Sequence, residues 1–179
     1  MRLPYLLSAA ALSLSVCMPA SATVFSFATT LSGAAEFPVN GSAAGGHADV
    51  SFNDLTSIVT VDVIFTGLSA AASAAHIHCC VLPTAPTPTT GVALGFAGFP
   101  NITGGHYVAN LSTFSGSKTF ASVLAGAQAG MAYVNIHDAN FPGGEIRGFL
   151  AAVPEAETYA LMLAGLGMLG AVAKRRRLL

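Results

Sequence analysis

The chain has few charges, no tryptophan and almost no cysteine, and each shortage closes off a class of protein. Only 8 % of its residues are charged and the formal net charge is −1, so the basic patch that nucleic-acid binding requires is missing. Three cysteines in 179 residues cannot form the framework of a small disulfide-stapled scaffold. Cys17 lies in an N-terminal apolar run, and the other two, Cys79 and Cys80, are adjacent. No P-loop, dinucleotide fingerprint or nucleophile elbow occurs. Carboxylates placed for glycoside hydrolysis cannot be picked out, although Asp138 and Glu145 are present. Enzymatic function is therefore not expected.

What the chain has in excess is apolar sequence, 53 % of residues, and much of it sits at the two ends. At the N-terminus Arg2 supplies a positive start, Leu6 to Val16 an apolar run, and Ala20-Ser21-Ala22 a small-x-small cleavage site. These three parts read as a signal peptide over residues 1–22, helical in its apolar run and cut by signal peptidase after Ala22. At the C-terminus, residues 153–179, Pro154 and Glu155 precede an apolar run from Tyr159 to Ala173, and Arg175, Arg176 and Arg177 close the chain with Lys174. That run predicts a short transmembrane helix whose basic end stays on the cytoplasmic side.

Pro-Glu, a short apolar helix and an arginine cluster in this order resemble the PEP-CTERM sorting tag. Ala156 stands where the motif has its second proline. The resemblance implies a bacterial protein recognised by an exosortase, anchored transiently in the inner membrane and released to the surface or secreted into a polysaccharide matrix.

Between the ends lies a domain over residues 23–152. From Thr23 to Pro154 two basic residues, Lys118 and Arg147, face six acidic ones, a net charge of −4. Strand signals are frequent. Ser57 to Thr66 is the clearest, with Val59, Val61, Val63 and Phe65 on one face. Phe25–Leu31, His47–Phe52, Ala74–Cys80, Tyr107–Leu111, Lys118–Val123, Met131–His137 and Glu145–Ala151 complete the set, separated by turn residues such as Asn53-Asp54 and Pro142-Gly143-Gly144. Helix is expected to be minor, because Ala125 to Gly130 is broken by glycine. The fold class is all-β, an antiparallel Greek-key β-sandwich of about seven or eight strands. The run Pro83 to Thr90 reads as an exposed connection. Cys79 and Cys80 are open to a vicinal disulfide, an intermolecular bridge or a metal.

Three strands carry polar residues two apart, and the period of two puts each pair on one face. His76 and His78 share a face opposite Ala75 and Ile77. Asn135 and His137 lie opposite Val134 and Ile136, and Glu145 and Arg147 opposite Ile146. The last two strands are hairpin neighbours. If the His76 strand joins them, His76, His78, His137, Glu145 and Arg147 occupy one surface. Two readings follow. The histidines and the Glu145–Arg147 pair are structural, or His76, His78 and His137 bind copper or zinc, to which neutral imidazole is suited.

Four blocks in order resemble the CHRD domain, the repeat found in chordin. They are Leu31 to Pro38, including Glu36 and Pro38; Gly67-Leu68-Ser69 with Ala74 to His78; Tyr133 to His137, including Asn135; and Pro142 to Gly148, including Gly143, Gly144, Glu145, Arg147 and Gly148. The resemblance implies an extracellular β-sandwich-like module without an assigned activity, and a surface or matrix role in binding polysaccharide or other proteins. The same histidine pattern is similar to copper/zinc superoxide dismutase. That likeness implies copper on His76, His78 and His137 and an anion-guiding Arg147. His47 and His106 would be loose candidates for the remaining ligands.

Overall fold

The computed structural model describes residues 22–154 and 162–169. The signal segment before Ala22 and most of the sorting tag, including Glu155, Arg175, Arg176 and Arg177, lie outside the described residues. Among the described residues no helix is long and apolar enough to cross a membrane. Residues 162–169 are helical and fall within the apolar run.

Within residues 22–154, nine strands, a 3-10 turn (Gly33–Ala35) and one α-helix follow one another: β1 (Val24–Ser32), β2 (Gly45–Asn53), β3 (Ile58–Thr66), β4 (Ala72–Cys79), β5 (Val92–Gly95), β6 (Gly105–Leu111), α1 (Phe120–Gln128), β7 (Ala132–Asp138), β8 (Ile146–Phe149) and β9 (Ala151–Ala152), the 3-10 turn falling between β1 and β2. The all-β antiparallel class holds. The two layers of a sandwich are joined through β1, which pairs with β2 on one side and with β8 and β9 on the other. The result is one sheet in the order β5-β4-β7-β8-β1-β2-β3-β6. It curls until its edges almost meet. Leu94 of β5 bridges to Phe114, just beyond β6, Phe96 stacks on Tyr107 at 5.8 Å, and the Tyr107 hydroxyl donates to the Ala97 carbonyl at 2.7 Å. Near-closure hides the edges that an open sheet would expose to pairing with other chains.

Alternation fills the interior. Val59, Val61, Val63 and Phe65 of β3 are buried, as are Ala75 and Ile77 of β4 and Val134 and Ile136 of β7. The intervening side chains of β4 and β7 therefore point to the outside of the barrel.

Two segments depart from the sequence reading. Lys118–Val123 is not a strand, since Phe120–Gln128 forms α1. Thr119 caps it, its hydroxyl accepting from Ser122 N–H while the Ser122 hydroxyl accepts from Thr119 N–H. Phe120, Val123, Leu124 and Ala127 fall at helical spacing and pack on the barrel core. The glycine that argued against a helix is a packing device. A Cβ at Gly126 would collide with both sulfurs of a Cys79–Cys80 disulfide, which resolves the alternatives left open for that pair. The second departure is β5, a four-residue strand too short and too evenly apolar to show a period of two.

Gly126→Val is expected to destabilise the domain by about 1–3 kcal/mol through overpacking. Gly91→Ala, with open space around the new Cβ, should leave the thermal midpoint unchanged. Thermal denaturation of both variants checks this.

Candidate metal centre

β4 and β7 are adjacent, and their register sets the site. His76 lies opposite Asn135, His78 opposite Tyr133, and Ala74 opposite His137. Asn135 in turn lies opposite Arg147 of β8. His76, His78, His137, Asn135 and Arg147 thus share the outer face of the barrel, as the period of two requires.

The three histidine rings gather there. Their centroids are 5.0 Å apart for His76–His137, 5.5 Å for His76–His78 and 5.8 Å for His78–His137. One ring nitrogen from each lies within 4.8 Å of the other two. His78 Nδ1 meets the Thr90 carbonyl at 2.8 Å and His137 Nδ1 meets the Pro142 carbonyl at 3.1 Å. A carbonyl can only accept, so both Nδ1 atoms carry the proton and both Nε2 atoms present a lone pair. Five buried side-chain atoms among the described residues have no hydrogen-bond partner. Three of them are His76 Nδ1, His78 Nε2 and His137 Nε2, and the others are Glu36 Oε1 and Asn135 Oδ1.

All three imidazoles resist protonation. Burial, then the neighbouring His137 and His78, push His76 down to about 4. Burial also lowers His78 and His137, against the carbonyl contacts that favour their protonated forms. Neutral imidazole is the form that ligates a metal.

The face is covered by loops, and Arg147 ties them down. Its Nε donates to the Ala35 carbonyl and its Nη1 to the Pro88 carbonyl at 2.9 Å, and its Nε lies 3.7 Å from Glu36 Oε2. The guanidinium stands 5.0 Å from the Tyr133 ring, and that ring stacks on His78 at 4.9 Å with only 3° between their planes. Glu36 is buried beside it, and desolvation pushes its carboxyl up to about 7 in spite of Arg147. The run Pro83 to Thr90 is mostly exposed, as expected, but it is latched at Pro88 and Thr90. Thr90 N–H also donates to the Tyr133 hydroxyl at 3.3 Å.

Asp138 and Glu145 are committed to holding backbone. Asp138 accepts from Ala70 N–H and Phe141 N–H, both at 2.7 Å, and from the Ser69 hydroxyl. Glu145 accepts from Ser69 N–H and from the Ser42 hydroxyl at 2.6 Å. Burial pushes Glu145 up, whereas hydrogen bonds hold Asp138 down in spite of burial. Gly144, at φ +128°, lies flat against the Asn135 amide, and a Cβ there would overlap it.

The sequence-predicted residues divide cleanly. His76, His78 and His137 come together, with Asn135 and Arg147 on the same face, whereas the Glu145 carboxylate is taken up by Ser42 and Ser69. Glu36 and Pro38 belong to the covering loop, Gly144 serves a positive φ and Gly148 a close approach of the Thr30 backbone, and Gly143 has open space around it. His47 and His106 do not join: they are exposed on β2 and β6, where they pair with Asp49 and Asp62. Arg147, expected as an anion guide, is only 2 % exposed and spends its donors on loop carbonyls. Sequence reasoning missed Tyr133, Thr90, Pro142 and Ser69. Only Tyr133 carried a signal, being two residues before Asn135 and so on the same face.

A loop-covered histidine cluster on the outside of an antiparallel barrel, on a chain carrying a sorting signal, defines an exported β module. Two family models match: the CHRD domain over residues 27–150 and the PEP-CTERM protein-sorting motif over residues 152–177. The chain belongs to the CHRD domain family. No curated protein and no solved structure matches it. The sorting motif supports a secreted or cell-surface location and processing by exosortase.

The lowered imidazoles set a pH dependence. In the unfolded chain histidine takes a proton near 6.5, but His76 in the fold stays neutral down to about 4. Between these values the unfolded state binds more protons, so stability falls as pH drops. Glu36 opposes this, holding a proton in the fold below about 7 that the unfolded chain releases above its usual 4.5. Raised Glu145 opposes it too, and lowered Asp138 reinforces it. The His76 contribution is isolated by comparison: the thermal midpoint of metal-free wild type, measured relative to His76→Ala, should fall between pH 7 and pH 5.

Arg147→Ala should cost about 3–5 kcal/mol, since it leaves a buried carboxyl and two carbonyls without their donor. Chemical denaturation measures this directly.

Proposed function

We propose that this exported CHRD domain is a non-enzymatic surface module that holds one transition-metal ion, copper or zinc, on His76, His78 and His137. One observation carries the reading: the three rings gather so that one nitrogen of each lies within 4.8 Å of the others, and each ring keeps a buried nitrogen without a hydrogen-bond partner. Leaving a buried polar atom unpaired costs about 1–3 kcal/mol. Three such atoms on one patch, two of them with lone pairs fixed by the Thr90 and Pro142 carbonyls, are best explained by a shared cation. The Thr90 and Pro142 carbonyls support it as outer-shell acceptors that fix the ring tautomers.

The non-enzymatic part rests on Arg147: it is buried and gives its donors to the Ala35 and Pro88 carbonyls, which argues against a superoxide-dismutase-like reaction. Contact with extracellular polysaccharide or surface proteins would follow from location alone and gives the module its setting. Signal peptidase and exosortase would act on it during export, with the membrane a transient anchor.

The test is elemental analysis of the exported protein, purified without a histidine tag, beside His78→Ala. About one equivalent of copper or zinc is expected, absent from the variant. Bound metal should raise the thermal midpoint, by about 2.7 kcal/mol of stability at a hundredfold excess over Kd. Folded protein that stays metal-free after incubation with both ions would overturn the reading and leave the histidines structural.

A further inference from the structure

We infer that the ion held by His76, His78 and His137 is monovalent copper, taken in three-coordinate form. This rests on the metal-binding reading above and adds to it the oxidation state and the coordination number.

Coordination number is the first argument. Among the described residues, no carboxylate or thiolate joins the three imidazoles as a further ligand. The nearest acids on that side are already spent. Asp138 accepts from Ser69, Ala70 and Phe141, Glu145 from Ser42 and Ser69, and Glu36 sits against Arg147. Cys79 is turned to the core and bridged to Cys80. His76 Nδ1, His78 Nε2 and His137 Nε2 are buried and unpaired, so three donors are what the fold itself supplies. Zinc in proteins takes four ligands, and divalent copper prefers a tetragonal set. A d10 monovalent copper ion is satisfied by three nitrogens alone.

Charge is the second argument. The cost of moving an ion out of water grows as the square of its charge, so a site made only of neutral ligands penalises a divalent ion about four times as heavily. Nothing in the ligand set offsets that charge. A fixed positive charge stands close by: the Arg147 guanidinium lies 5.0 Å from the Tyr133 ring, which stacks on the His78 ring at 4.9 Å. A cation one ring away from a ligand disfavours a second positive charge more than it disfavours the first.

Ligand softness alone would not select monovalent copper, since imidazole also serves zinc and divalent copper. The selection comes from a neutral, three-donor cradle with a fixed positive charge beside it. The proposal involves binding only, and no electron or proton changes hands.

The experiment titrates the exported protein anaerobically with Cu(I) in competition with a chromophoric Cu(I) chelator, and separately with Zn(II) and Cu(II). X-ray absorption is then recorded on the Cu(I) form. The expected result is one Cu(I) per chain, bound at least 100-fold more tightly than Zn(II), lost in His78→Ala, with three nitrogen scatterers and no sulfur. Zn(II) or Cu(II) binding as tightly as Cu(I), or a bound water or sulfur in the copper shell, would overturn this inference while leaving the metal-binding reading standing. Failure of all three ions to bind folded protein would overturn both.

Discussion

The buried guanidinium of Arg147 is the interaction on which the outer face depends. A barrel needs nothing outside itself to close its core, and the inward side chains of β3, β4 and β7 pack without reference to the loops. The loops have no such periodic apolar face. They are held by hydrogen bonds to one side chain that reaches the Gly33–Ala35 turn, through the Ala35 carbonyl, and the proline-rich run, through the Pro88 carbonyl. Because Arg147 is charged and nearly fully buried, each of those bonds is of the stronger, charge-assisted kind. The cover they hold in place is what removes water from the histidines.

A chain of orientation runs through the same region. Thr90 is positioned by the latched loop, and its carbonyl sets the His78 tautomer while its amide meets Tyr133. Pro142, at the turn organised by Asp138 through Phe141, does the same for His137. The carboxylates contribute to the site indirectly, by holding backbone that in turn holds rings. This arrangement explains why acidic residues near the cluster leave it electrically neutral.

Much of this was legible in the sequence wherever a period of two was present. His76 and His78 alternate with Ala75 and Ile77, and Asn135 and His137 with Val134 and Ile136, so one face of each strand could be read directly. That β4 would sit beside β7 was not legible, since register between distant strands leaves no local mark. α1 was misread because Gly126 lowers helix propensity, and the reason for that glycine, two sulfurs packed against it, is a tertiary contact. β5 escaped because four residues, the last of them Gly95, are too few to show alternation. Thr90 and Pro142 act through backbone carbonyls, which every residue possesses, so no residue type announces that role.

The order in which the site can be completed follows from how far apart its parts lie along the chain. Arg147 and Ala35 are separated by 112 positions and Arg147 and Pro88 by 59, while β8, which carries Arg147, closes against β1 from the opposite end of the domain. A polypeptide threaded across a membrane from its N-terminus would therefore deliver His76 and His78 to the far side well before His137 and the latch that encloses them. The cradle is finished only when nearly the whole domain has emerged. The metals present where folding ends, rather than those where synthesis began, would be the ones offered to it.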